Sequence, residues 1–438
     1  MDVFILLFTG LIGFYMAWTI GANDVANSMG SAVGSKSLTI KKAIILAGIC
    51  EFSGAVLVGS SVTETIRKGI VNPDMIAALP HLRDGEAAAL LIIGMTAALL
   101  CSAFWLHFAT WVGMPVSTTH AIVGAVAGFG VVAAGWHSVD WNKMSQIVAS
   151  WFISPLAGGL VAFVLFKFIS TSILGKEKPA EAVQTYAPFI VFLVVFVVTL
   201  ATIYNGLNHI ISGLQWLTGF TSILISVAIG LILAVIAKIW ISRHLRGKDT
   251  LPIAKQLEEV EKIFVPLVII SSCSVAFAHG ANDVANAVGP FAAIAHIIRH
   301  GTVEMKVGVP LPILVMGGAG IVVGLATFGY RVMATVGTQI TELTPSRGVA
   351  ADIATAATVL ICSRLSLPVS TTHTLVGAIM GIGLARGLGG INRPVTQKIF
   401  ASWLVTVPAA ALLSIIFFVV GRYLFLDNVI DIVLAARR

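Results

Sequence analysis

The 438 residues predict an all-α integral membrane protein of about twelve transmembrane segments, arranged as two inverted-topology repeats with broken or re-entrant helices. Three observations carry this. Hydrophobic residues make up 57% of the chain and charged residues only 11%, too few to clothe a water-facing surface. Apolar runs on the order of 20 residues, the length that crosses a bilayer, recur from end to end. Two polar motifs break into those runs, and each occurs twice in the same order.

The spans read at 2–22, 43–66, 87–112, 116–135, 144–169, 187–205, 214–242, 263–281, 311–330, 349–367, 369–385 and 397–425. The first runs directly into Gly21-Ala22-Asn23-Asp24-Val25-Ala26-Asn27, and Met1-Asp2 offers no basic leader, so a cleaved signal peptide is not expected. Its repeat, Gly280-Ala281-Asn282-Asp283-Val284-Ala285-Asn286, follows the span at 263–281. Pro115-Val116-Ser117-Thr118-Thr119-His120 returns as Pro368-Val369-Ser370-Thr371-Thr372-His373, and Ile147-Val148-Ala149-Ser150-Trp151 is echoed by Ile399-Phe400-Ala401-Ser402-Trp403. The order of three markers divides the chain into a first repeat, 1–170, a connector with two spans and a charged loop, 171–260, and a second repeat, 261–438.

Parity sets the relative orientation. Five crossings in the first repeat plus two in the connector make an odd number, so the second repeat enters the membrane from the opposite side, as in many secondary transporters. The parity is unchanged if each Ser-Thr-Thr element forms a re-entrant hairpin with the segment before it.

The net charge of +7 resides in short loops. The positive-inside rule accounts for it better than nucleic acid does. Lys36, Lys41, Lys42, Lys167, Lys176, Lys178 and the run Arg243 to Lys262 fall on one side, which places both termini outside and the loop 243–262 in the cytoplasm of a multi-pass cell-membrane protein. Cys50, Cys101, Cys273 and Cys362 all fall in apolar runs, as buried thiols do, with no close spacing for a disulfide framework or a metal cluster.

An Asp at the centre of a membrane helix costs about 2.5–3.5 kcal/mol on insertion scales, which is tolerated where it faces a cavity, an ion or a substrate. Gly21, Asn23 and Asn27 stand inside a stretch that would make one helix of about 50 Å from residue 3 to 33, so a break near the motif is expected. Asn23, Asp24, Asn27, Asn282, Asp283 and Asn286 offer hard oxygens suited to a small alkali cation. The blander reading of one copy alone is a packing notch with a hydrogen-bonding Asn. The Ser-Thr-Thr elements read as helix starts, where hydroxyls, free amides and the positive end of the dipole make an anion cradle from Ser117, Thr118, Thr119, Ser370, Thr371 and Thr372. His120 and His373 follow in both copies. Glu51 has no acidic counterpart between 311 and 341, and His279 stands where the first copy has Ile20. Glu51, His120 and His373 are candidates for coupling, and Glu64 and Glu342, each near an Arg at a helix end, for gates or structural pairs.

At these motifs the chain resembles the inorganic phosphate transporter (PiT) family of cation-phosphate symporters, over both repeats and nearly the full length. The resemblance implies a sodium- or proton-coupled importer of orthophosphate, with Asp24, Asn27, Asp283 and Asn286 around ions and substrate, and Ser117, Thr118, Ser370 and Thr371 around phosphate. The connector lacks the long central loop of animal members.

Phosphate near neutral pH keeps P–OH donors that a carboxylate can accept, whereas sulfate has none, so Asp24 and Asp283 favour phosphate provided that cations offset the repulsion. The expected function is phosphate import by symport with sodium ions, with alternating access around a midplane site. Proton-coupled symport and a sulfate permease of the same fold are the alternatives. A channel is a further rival, distinguishable by single-channel currents. An enzyme is not expected, since the motifs hold no nucleophile–base pair. The expected partners are inorganic phosphate, sodium ions and the lipid bilayer, with no nucleic acid and with homo-oligomerisation open.

Overall fold

The computed structural model describes residues 2–67, 70–71, 73–80, 82–204, 219–303, 308–364 and 369–437, and the described part of each of the twelve apolar stretches overlaps a helix. The helices are α1 (Asp2–Gly34), α2 (Ile40–Arg67), a short α3 (Pro73–Ala77), α4 (Glu86–Trp111), α5 (Thr118–Ala134), α6 (Trp141–Ile169), α7 (Pro179–Thr202) and α8 (Gly219–His244). They continue as α9 (Ile253–His300), α10 (Leu311–Thr327), a short α11 (Tyr330–Ala334), α12 (Pro345–Arg364), α13 (Thr371–Ala385) and α14 (Arg393–Ala436). There is no strand among the described residues. The side chains of Glu64 and Arg67, and Pro368 of the second motif, lie outside the described residues.

The expected break at the first motif is not there. α1 runs unbroken for 33 residues, and α9, which carries the second motif, for 48. Gly21 acts as a notch instead: a Cβ on it would collide with the carbonyl of Ile321 on α10. Gly280 is the matching notch against the carbonyl of Glu51 on α2. With the Asn and Asp side chains bonding to one another, no backbone group need be freed to satisfy them. The interruption falls elsewhere, as a 56° bend between α10 and the segment Tyr330–Gln339.

Packing is exchanged between the halves. α1 lies on α10 and α9 on α2, while α5 lies on α14 and α13 on α6. Each pair meets through glycines set against backbone, Gly124 and Gly128 against Val407 and Ala411, and Gly377 and Gly381 against Pro155 and Gly159. α1 and α9 run antiparallel, since Ser31 meets Ser272 at 3.2 Å, Asp24 meets His279 at 3.7 Å, and the Gly10 end of α1 meets Phe291. The motif helices of the two repeats are therefore inverted with respect to each other.

Two bundles result, each drawn from both halves. One holds α1, α2, α9 and α10, the other α4, α5, α6, α12, α13 and α14, with α7 and α8 paired at the periphery and α7 resting on α9. The seam is crossed by Tyr15 Oη to His107 Nδ1 at 2.7 Å and by Glu261, whose carboxylate accepts both the backbone N–H and the hydroxyl of Ser346 at 2.8 Å.

Among the described residues eight helices are long and apolar enough to cross a membrane, nine with the bent pair. α5 and α13, with 17 and 15 residues, reach only about 26 and 23 Å at 1.5 Å per residue, short of a hydrocarbon core of about 30 Å. Their N-termini meet the other bundle at the seam, Thr118 at Asp24 and Thr372 at Asn27.

Candidate functional site

Ser117 and Ser370 open α5 and α13 as N-caps, each accepting the N–H of the His three residues on, at 3.3 Å. The cap leaves the first amides of both helices directed at the seam, where the dipole favours negative charge. From the other bundle the buried Asp24 meets the start of α5 at Thr118, and Asp283 lies beside Asp24.

Asp24 Oδ2 accepts the hydroxyl of Thr118, and Asn27 Nδ2 donates to Asp24 Oδ1 at 3.2 Å and to Thr372 Oγ1 at 2.8 Å. Residues of both repeats and both bundles thus meet in a single polar cluster. In the second motif Asn282 and Asn286 donate to Asp283 Oδ1 at 3.0 and 3.5 Å. Between the carboxylates stands His279, with Nε2 2.7 Å from Asp283 and 3.7 Å from Asp24, so that one ligand atom from each of the three lies within 4.8 Å of the others. Both carboxylates and the imidazole are buried. Two carboxylates this close in a buried site repel unless positive charge or a proton stands between them.

The carbonyl oxygens Oδ1 of Asn27 and Asn286 are buried and have no hydrogen-bond partner among the described residues. They are equivalent positions of the two motifs, and a buried amide oxygen without a donor is stable only if something else coordinates it. Asn23 behaves differently. Its amide donates to Thr110 Oγ1 at 2.9 Å and Met114 O at 3.1 Å, and its Oδ1 accepts Val116 N at 3.1 Å, so it braces the loop ahead of α5. Asn282 is exposed. Thr119 and Thr371 are half-buried, while Thr118 and Thr372 reach the partner bundle.

Glu51 Oε1 accepts Ser28 Oγ at 3.0 Å and its Oε2 lies 3.5 Å from His279 Nδ1. His120 and His373 lie behind the helix starts with their rings 4.8 Å apart. Glu342 is far more exposed than these, at 75%, and pairs with Arg386 at 3.1 Å and Arg347 at 3.6 Å. Asp352 on α12, outside the two motifs, is a further buried carboxylate, and it accepts Ser271 Oγ at 2.7 Å and Ser272 Oγ at 3.0 Å. An acid inside the apolar stretch 349–367 was the signal available for it.

The sequence pattern of the phosphate transporter family matches residues 20–414. A protein of Thermococcus kodakarensis named a phosphate permease is 46% identical over 413 residues, covering 94% of this chain and 97% of its own. The chloroplastic inorganic phosphate transporter 2-1 of Arabidopsis thaliana is 42% identical, with 93% of this chain and 71% of its own covered. A solved structure titled as the sodium-dependent phosphate transporter superposes with a TM-score of 0.81 at 40% identity, over 96% of this chain and 99% of the other. A duplicated acidic motif set against paired helix N-termini in a multi-pass membrane protein agrees with these matches from end to end, and the chain belongs to the phosphate transporter family.

Proposed function

We propose that the protein imports inorganic phosphate by symport with sodium ions, alternating access to a site at the seam between its two bundles. The observation that carries this is the convergence of Asp24 and Asp283, one from each half, opposite the N-termini of α5 and α13. Thr118, Thr372, the caps Ser117 and Ser370 and the free amides of the first turns cradle the oxyanion, with Thr119 and Thr371 at its margin. Asp24 and Asp283 accept hydrogen bonds from its P–OH groups.

Sodium is supported by the two unpartnered oxygens of Asn27 and Asn286, each within one helical turn of a carboxylate. Asp24 with Asn27, and Asp283 with Asn286, make two like half-sites of hard oxygens. Cation first and phosphate second follows, since neither the anion nor the carboxylates are stable together until positive charge arrives. The solved relative is titled sodium-dependent, which agrees. His279 favours a second reading, proton coupling, because an imidazole 2.7 Å from Asp283 supplies the same positive charge when protonated.

The repeats in this reading are 1–170 and 261–438, with 171–260 as the connector, and the positive-inside distribution puts both termini outside. Uptake of labelled phosphate into proteoliposomes, with an imposed sodium gradient or an imposed proton gradient, tests the coupling. Sodium-driven uptake that survives dissipation of the proton gradient is expected, and uptake indifferent to sodium overturns it. Excess sulfate competing as well as unlabelled phosphate overturns the role given to the carboxylates.

A further inference from the structure

Behind the two helix N-termini lies a row of aromatic rings that transport chemistry leaves without a task. His120 and His373 meet edge to face, centroids 4.8 Å apart and planes at 81°. His373 stacks on Trp403 at 3.8 Å, and His120 leans on Trp151 at 5.6 Å. The row is therefore Trp151, His120, His373, Trp403, two rings from each half. It is also tied crosswise, for Trp403 Nε1 donates to Pro115 O of the opposite motif at 3.0 Å and Thr372 Oγ1 to Val116 O at 3.4 Å.

The imidazoles are 3% and 0% exposed, and Nδ1 of His120 and both ring nitrogens of His373 have no hydrogen-bond partner among the described residues. Described ion pairs reach neither ring. The contacts they make are ring contacts, worth about 0.5–1.5 kcal/mol per aromatic pair beyond burial. Each imidazole rises from the first turn of the helix whose N-terminus faces the anion, one residue after Thr119 or Thr372. A change in ring size or ring contact at this point therefore moves the two N-termini relative to each other.

We propose that the His120–His373 pair is a positioning spacer: it fixes the gap between the N-termini of α5 and α13 and thereby selects the oxyanion by size, phosphate over the larger arsenate. This rests on the phosphate reading above. The imidazoles act through the helices and touch neither anion nor cation.

Three variants of the full-length protein separate a spacer from a ligand or proton carrier. His373→Ala removes the ring, His373→Phe keeps a ring without nitrogens, and Trp403→Phe keeps the stack but drops the N–H to Pro115. Binding of sulfate, phosphate and arsenate is measured on purified protein, with phosphate KM and kcat in proteoliposomes. For His373→Ala, with the gap no longer fixed, the spacer predicts a phosphate KM raised on the order of tenfold, loss of the preference for phosphate over arsenate and little change in kcat. His373→Phe recovers most of the KM and the preference, and Trp403→Phe falls between. A Phe variant as impaired as the Ala variant, or a loss confined to kcat and moving with pH, overturns the spacer. Should His373→Ala not fold, the preference of Trp403→Phe decides. A wild-type protein preferring sulfate overturns the phosphate reading instead, while the change in size preference between wild type and variants still reads the spacer.

Discussion

His279 Nδ1 lies 3.5 Å from Glu51 Oε2, and each of these residues is one that the opposite half lacks. Ile20 stands in the place of His279, and Ile321, which meets Gly21 as Glu51 meets Gly280, in the place of Glu51. The two departures from repeat symmetry are thus one contact between α2 and α9. Through its other nitrogen the same imidazole reaches Asp283 and Asp24, so the asymmetric pair opens onto the symmetric site.

Glu51 and His279 are buried against each other, so changing either alters the surroundings of the imidazole that reaches both aspartates. Glu51→Gln and His279→Gln should each reduce phosphate uptake sharply, and the double variant should be no worse than the poorer single one. Initial rates across the four proteins of this cycle check it, and additive losses would show that the two side chains act separately.

Asp24→Asn and Asp283→Asn should take uptake to background while the thermal midpoint in detergent stays close to the parent's. In both, the rise of that midpoint on adding sodium should vanish, because ligand-linked stabilisation disappears with the binding site. A variant that retains either effect would remove its carboxylate from the site.

Asn286→Ala removes an orphan oxygen and only a marginal hydrogen bond of 3.5 Å. The half-saturating sodium concentration should rise on the order of tenfold, equivalent to about 1.4 kcal/mol, with smaller change in the phosphate KM at saturating sodium. Uptake measured over a sodium series distinguishes this from a general loss.

Gly21→Ala and Gly280→Ala drive a methyl group into the carbonyls of Ile321 and Glu51. Overpacking of this kind costs about 1–3 kcal/mol, so both should lower the thermal midpoint and impair uptake. Gly308→Ala, which meets nothing within 4 Å, should match the parent in both measurements.

The duplicated motifs made the repeats, their inversion and the converging aspartates legible from residues alone, since an intramembrane Asp written twice at matching places has few structural explanations. Continuity of α1 was not legible. Gly21 and Asn23 are helix breakers by propensity, yet here Gly21 admits a neighbouring backbone and Asn23 bonds to the loop before α5, and tertiary packing decides. Asn23, Asn27, Asn282 and Asn286 look alike in sequence, and only the fold separates the brace from the orphan oxygens. Glu51 and His279 each read as an isolated anomaly because their partnership spans more than two hundred residues of chain.

The uninterrupted course of α1 has a mechanical corollary. A rod with no joint, interlocked with its neighbour by glycine notches at Gly21 and Gly324, cannot flex to open a path, so opening has to occur as slippage between blocks. Spin labels placed on α1 and α10 would hold one separation throughout the transport cycle, whereas a pair on α1 and α4 would report two.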